Sequence, residues 1–110
     1  MTNKEIANFF QDLAKIMELH GENKFKIRSY SSAYLTLRKL GTPLSEMSDV
    51  EISQIKGVGK AISGKIRELI ETGKLATYDK YLEKTPDGVV EMLKIKGFGP
   101  KKVEIIWKEL

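Results

Sequence analysis

Two short strings, Ile55-Lys56-Gly57-Val58-Gly59 and Ile95-Lys96-Gly97-Phe98-Gly99, combine the residue types that hold an anion through the main chain. Glycine lets the backbone take positive φ and lets a ligand approach with no Cβ in the way. The apolar residue between the glycines, Val58 or Phe98, is expected to turn inward and anchor each turn. The amides around Gly59 and Lys60 then point outward at the start of the next helix, where unpaired N–H groups and the helix dipole favour negative charge. Pro100 removes one such amide from the second string. Gly99, Lys101 and Lys102 become the expected donors there, and side-chain charge carries more of the binding.

Neither string is a mononucleotide loop, because no Gly-Lys-Ser/Thr ending follows a strand, and neither follows a strand as a dinucleotide fingerprint must. The phosphate backbone of a nucleic acid is the better ligand. Contacts of that kind position without reading bases, so binding should be indifferent to sequence and fall steeply with salt. A single Gly-x-Gly turn is equally well a plain connection between helices.

Other chemistry is narrowed by composition. The chain of 110 residues has no cysteine and a single histidine, His20, so disulfides, thiolate metal sites and histidine clusters are excluded. Glu5, Asp12 and Glu18 interrupt the first twenty residues, which suits neither a secretory leader nor a membrane span, and a soluble cytoplasmic protein without membrane contact is expected. The net charge is only +4, but the cations come in blocks. Lys24, Lys26, Arg28, Arg38 and Lys39 form one block without acids, and Lys56, Lys60, Lys65 and Arg67 form another. A polyanionic partner fits this pattern.

The positioning elements read as helices throughout, so the expected fold is all-α, one compact multi-helix unit at this length and 41% hydrophobic content. Thr2 and Glu5 have capping-box spacing ahead of Ile6, Phe9, Phe10, Leu13, Ile16 and Met17, with a stop at Gly21. A second helix is expected from Arg28 or Ser29, with Tyr30, Ala33, Tyr34 and Leu37 on one side, ending before Gly41 and Pro43. Ser48 and Glu51 repeat the capping box before a short helix through Gln54. Ile62, Ile66, Leu69 and Ile70 stripe a helix from Lys60 to Thr72, which Gly73 closes. A short helix from Lys74 to Lys84 follows. Thr85 as N-cap with Pro86 at the first helical position predicts a helix through Lys94, and a last helix runs from Pro100, burying Val103, Ile106 and Trp107.

A shift of forty residues superimposes two stretches. Val50, Glu51, Ile55, Lys56, Gly57, Gly59 and Ile66 recur as Val90, Glu91, Ile95, Lys96, Gly97, Gly99 and Ile106, while Ile52 and Val58 become Met92 and Phe98. Each copy reads helix, Gly-apolar-Gly, helix.

These strings resemble the helix-hairpin-helix consensus. The wider order of Phe25-Lys26-Ile27-Arg28-Ser29-Tyr30, Glu71-Thr72-Gly73-Lys74-Leu75 and Gly97-Phe98-Gly99-Pro100-Lys101-Lys102 is similar to the N-terminal region of family X DNA polymerases of the bacterial and archaeal type, with a polymerase-beta-like fold. The resemblance spans nearly the whole chain. It implies a lyase-type helical domain over residues 1–84, the start of a fingers region over 85–110, and gapped or nicked DNA as partner in base excision repair. It further implies Na+ or K+ at each hairpin, held by the backbone carbonyls of Ser53, Ile55 and Val58, and of Leu93, Ile95 and Phe98. No obligatory cofactor is implied, and a monomer is expected. DNA contacts would come from Lys26, Tyr30, Gly57, Val58, Gly59, Lys60, Gly97, Phe98, Gly99, Lys101 and Lys102.

Family X polymerases transfer nucleotides with palm aspartates, and the sequence stops at Leu110 before a palm, so this segment is expected not to polymerise and reads as a fragment of a longer polymerase. The remaining implied chemistry is 5′-deoxyribose-phosphate lyase activity with Lys65 as the Schiff-base nucleophile. Lys65 lies one turn after Ala61 and flanks the apolar stripe, partly shielded and close to other cations. A lysine laying its stem along a core edge would look the same. Lys26 corresponds to a lysine that holds the 5′ phosphate and Tyr30 to a tyrosine beside it, although Tyr30 equally suits a core aromatic. The family's second phosphate lysine falls at Ala61, and its glutamate beside the nucleophile at Gly64. Three readings stay open: a repair module with lyase activity, a DNA-binding module without chemistry, and a helical protein-interaction domain.

Overall fold

Among the described residues, side-chain caps open the first three α-helices. The Thr2 hydroxyl accepts from the Glu5 amide at 3.1 Å, and the Glu5 carboxylate accepts from the Thr2 amide at 2.8 Å, opening α1 (Asn3–Leu19). Gly21 at φ +70° closes it, with the Glu22 amide reaching back to the Met17 carbonyl. The computed structural model describes residues 1–95 and 97–109; Lys96 of the second string and Leu110 lie outside them. Every regular element among the described residues is helical.

The second helix, α2 (Lys24–Leu37), begins four residues earlier than the apolar periodicity suggests. The Asn23 side chain accepts from the amides of Phe25 and Lys26, so a polar cap starts the helix before its apolar face begins. A 3₁₀ turn at Leu44–Glu46 leads to α3 (Asp49–Ser53), opened by the Ser48–Glu51 capping box. Then come α4 (Lys60–Thr72), closed by Gly73 at φ +72°, and α5 (Ala76–Glu83), which starts two residues later than expected. The last two helices are α6 (Asp87–Lys94) and α7 (Pro100–Glu109).

Thr85 does not cap α6. Its hydroxyl donates to the Tyr81 carbonyl at 2.6 Å and lies 2.8 Å from His20 Nε2, while Pro86 occupies the N-cap position. A hydroxyl has one proton, and Tyr81 takes it, so the imidazole must donate from Nε2. The same ring packs against Tyr81 at 5.4 Å and edge-on to Trp107 at 5.5 Å. His20 thereby ties the end of α1 to α5, the following turn and α7.

The core is organised around α1, which buries Ile6, Ala7, Phe10, Leu13, Ala14, Ile16, Met17 and Leu19 against α2, α4, α5 and α7. Ile52, Val58, Ile62, Ile66 and Leu69 of the first repeat join the same apolar cluster as Val89, Leu93 and Val103 of the second. Each such fully buried aliphatic side chain contributes about 1.5–3 kcal/mol over an exposed one. Ile106 and Trp107, expected to be buried, are only partly covered, because Val103 takes the inward position of α7. Asn3 pins the loop after α2 to α1, donating to the Thr42 carbonyl and accepting from the Leu44 amide, both at 2.8 Å.

Candidate nucleic-acid interface

The repeat seen in the sequence is a repeat of backbone geometry. In the first hairpin, between α3 and α4, Gly57 has φ +85°, the Val58 amide donates to the Ile55 carbonyl at 2.9 Å, and the Ser63 amide donates to the Gly59 carbonyl at 2.9 Å. In the second, between α6 and α7, Gly97 has φ +95°, the Phe98 amide donates to the Ile95 carbonyl at 3.1 Å, and the Val103 amide donates to the Gly99 carbonyl at 3.1 Å. Only the first glycine of each pair needs the left-handed region.

Gly59 has φ −97° and ψ −171°, extended backbone open to any residue, and a Cβ built there meets nothing within 4 Å. Nothing inside the fold asks for glycine at this position. The space it leaves faces outward, at the first turn of α4.

Val58 turns inward as expected and is buried, whereas Phe98 is half-buried and carries the Lys102 ammonium 5.7 Å above its ring. A recess of about 350 Å³ opens between the first turns of α2 and the first hairpin, walled by Lys26, Ser29, Tyr30, Gly57, Gly59 and Ala61. The structure thus brings together Lys26 and Tyr30 from the first basic block with Gly57 and Gly59 from the second. Lys60 is exposed on the first residue of α4. Lys65 is half-buried one turn beyond Ala61 and does not line the recess. Tyr30 stacks on Phe10, with centroids 6.0 Å apart, and edges the recess.

Phe25, 76% exposed at the mouth of the recess, and Ser29, whose hydroxyl donates to the Phe25 carbonyl, were not anticipated. The signal that would have found them is Asn23, since a cap there fixes which residues form the first turn of α2.

The first hairpin is braced by side chains from outside the turn. Arg67 of α4 donates to Asp49 Oδ1 at 2.7 Å and to the Met47 carbonyl at 3.0 Å. At the same helix start the Ser48 amide holds the Glu51 carboxyl below the usual carboxylate range. The carbonyls of Ile55 and Ile95 each accept one turn hydrogen bond and keep a second lone pair. Among the described residues no three His, Asp or Glu side chains gather as a metal-ligand set, and no helix is long and apolar enough to cross a membrane.

Comparison with known proteins agrees with this geometry. Residues 1–75 match the family described as helix-hairpin-helix domain. All 110 residues align at 36% identity with the N-terminal part of the DNA polymerase/3′-5′ exonuclease PolX of Bacillus subtilis (strain 168). The chain spans 19% of the length of that relative.

Proposed function

The chain belongs to the helix-hairpin-helix domain family, and from that premise we propose that it grips the sugar-phosphate backbone of gapped or nicked DNA as part of a family X repair polymerase. The observation that carries the proposal is one Gly-x-Gly backbone turn built twice, with matching φ at Gly57 and Gly97 and matching turn hydrogen bonds. Amides at the start of α4 and α7, together with Lys60, Lys101 and Lys102, would hold phosphates on either side of a gap. Residues 1–84 would form the lyase-type part and 85–110 the start of the next region. The carbonyls of Ser53, Ile55 and Val58, and of Leu93, Ile95 and Phe98, would each hold Na+ or K+, which would add a positive charge beside the phosphate. The working form would be a cytoplasmic monomer.

The chemistry proposed for the first hairpin is removal of a 5′-deoxyribose phosphate. The neutral Lys65 amine adds to the sugar aldehyde carbon and water leaves, giving an iminium. Loss of a C2′ proton then expels the 3′ phosphate oxygen, and hydrolysis of the imine frees the lysine. Lys26 would hold the 5′ phosphate in the recess. Borohydride reduces such an imine to a stable amine, so a covalent adduct is expected on DNA carrying a 5′-deoxyribose phosphate, and Lys65→Ala should abolish it. No adduct, or one indifferent to that substitution, rules the lyase out. A non-catalytic DNA clamp is the second reading. It is favoured by the uncharged recess wall at Ala61 and by the position of Lys65 outside that wall.

A further inference from the structure

The basic block from Lys24 to Lys39 is continuous in sequence, but the helical period of α2 divides it among faces. Lys26 and Ser29 face the first hairpin. Lys24, Ile27, Arg28 and Ser31 lie on the opposite flank, where with Lys101 of α7 they line a groove of about 520 Å³. Arg38 is engaged elsewhere, 5.3 Å above the Tyr34 ring.

Three acids, Glu18, Glu22 and Glu104, line the same groove, so its formal charge alone decides nothing. Their engagement differs from that of the cations. Glu104 is paired with Lys108 at 2.9 Å, and Glu22 faces Tyr81, whose hydroxyl is held above its ordinary pKa chiefly by burial and next by that carboxylate. Lys24, Arg28 and Lys101 make no ion pair within 4 Å among the described residues. Part of the acidic charge is already neutralised while the cationic charge is free to meet a ligand.

We propose that Lys24, Arg28 and Lys101 form a third phosphate-contact cluster, over which a nucleic-acid backbone passes from one hairpin to the other across the first turn of α2. The inference rests on the hairpins binding DNA. Its ground is continuity. Lys101 belongs both to this groove and to the helix that follows the second hairpin, and Lys26, two residues from Lys24, belongs to the recess of the first. The N-terminal part of α2 lines both, with Lys26 and Ser29 in the recess and Lys24 and Arg28 in the groove. The guanidinium of Arg28 suits the paired oxygens of a phosphate, and Glu18 keeps the strand on the cationic rim by repulsion.

The test is the salt dependence of binding by the full chain to a gapped duplex. Each lost phosphate contact flattens the slope of log affinity against log salt by about 0.9, so Lys24→Ala with Arg28→Ala should flatten it by about 1.8. Arg38→Ala with Lys39→Ala removes the same charge from the far end of α2 and should leave the slope within about half a unit of the parent. An unchanged slope in the first pair, or an equal change in both pairs, overturns the cluster. Lys60→Ala with Lys102→Ala probes the hairpins themselves. If that pair weakens binding and the Lys24/Arg28 pair does not, the bridge alone is wrong; if it has no effect, the hairpin reading falls and the bridge with it. All six side chains are exposed, so circular dichroism of each variant should match the parent.

Discussion

The two hairpins share a backbone and differ in how they are held. The first is fixed by directional polar contacts: the Ser48–Glu51 box opens α3, and Arg67 clasps Asp49 and the Met47 carbonyl. Forty residues on, the places of Ser48, Asp49, Ser63 and Arg67 are taken by Gly88, Val89, Val103 and Trp107. The second hairpin is held by apolar burial, with Val89 and Val103 in the core and Trp107 against His20. One turn geometry therefore survives the loss of these polar contacts, while apolar residues of both repeats stay in the shared core.

Removing the apolar support should have the largest effect. Val103→Ala is expected to cost about 2–3 kcal/mol of global stability in urea denaturation, because the cavity opens in the core that both hairpins share. A loss confined to α6 and α7 in hydrogen exchange, with the rest unchanged, would show instead that the two supports are independent. Gly57→Ala and Gly97→Ala should cost about 1–2 kcal/mol each, since both force a side chain into the left-handed region with no clash to relieve. Clearly unequal losses would break the equivalence of the turns.

Arg67→Ala comes next, at about 1 kcal/mol, most of it from the Met47 carbonyl bond. Asp49 is well exposed, so its ion pair is screened and adds little. DNA affinity should fall through the first hairpin only, read as a loss on DNA ends that engage it. The smallest effect is a pH dependence at His20. Burial and then Lys84 hold its imidazole below the ordinary 6.5, while Glu22 opposes them. The unfolded chain then binds the proton more readily than the folded one. The contribution to stability is complete above pH 6.5 and is lost as the pH falls through the folded value. Thermal melts at pH 7.5 and 5.5 should show this dependence in the parent, and His20→Gln, which keeps a donor for Thr85, should flatten it.

Features set by neighbours in sequence were legible before the structure. Both capping boxes, the Gly73 stop and the two turns depend on residues within a few positions of each other. The start of α2 was hidden because its first turn places Phe25 in solvent, so apolar periodicity is silent until Tyr30, and Asn23 alone marks the boundary. Thr85 misled for a different reason: its hydroxyl is drawn away from α6 by His20, 65 residues distant, and by Tyr81. The Arg67 brace and the division of the basic block between two faces likewise depend on tertiary neighbours and helix phase, which composition does not contain.

Because α1 lies beneath both repeats, it acts as a ruler. Changing the distance between the Gly57 and Gly97 turns would mean pulling Val103 or Ile66 out of the core that the apolar face of α1 organises. A duplex held at both turns would therefore have to supply the compliance itself, and a strand break, where base stacking is already interrupted, is where DNA bends at least cost.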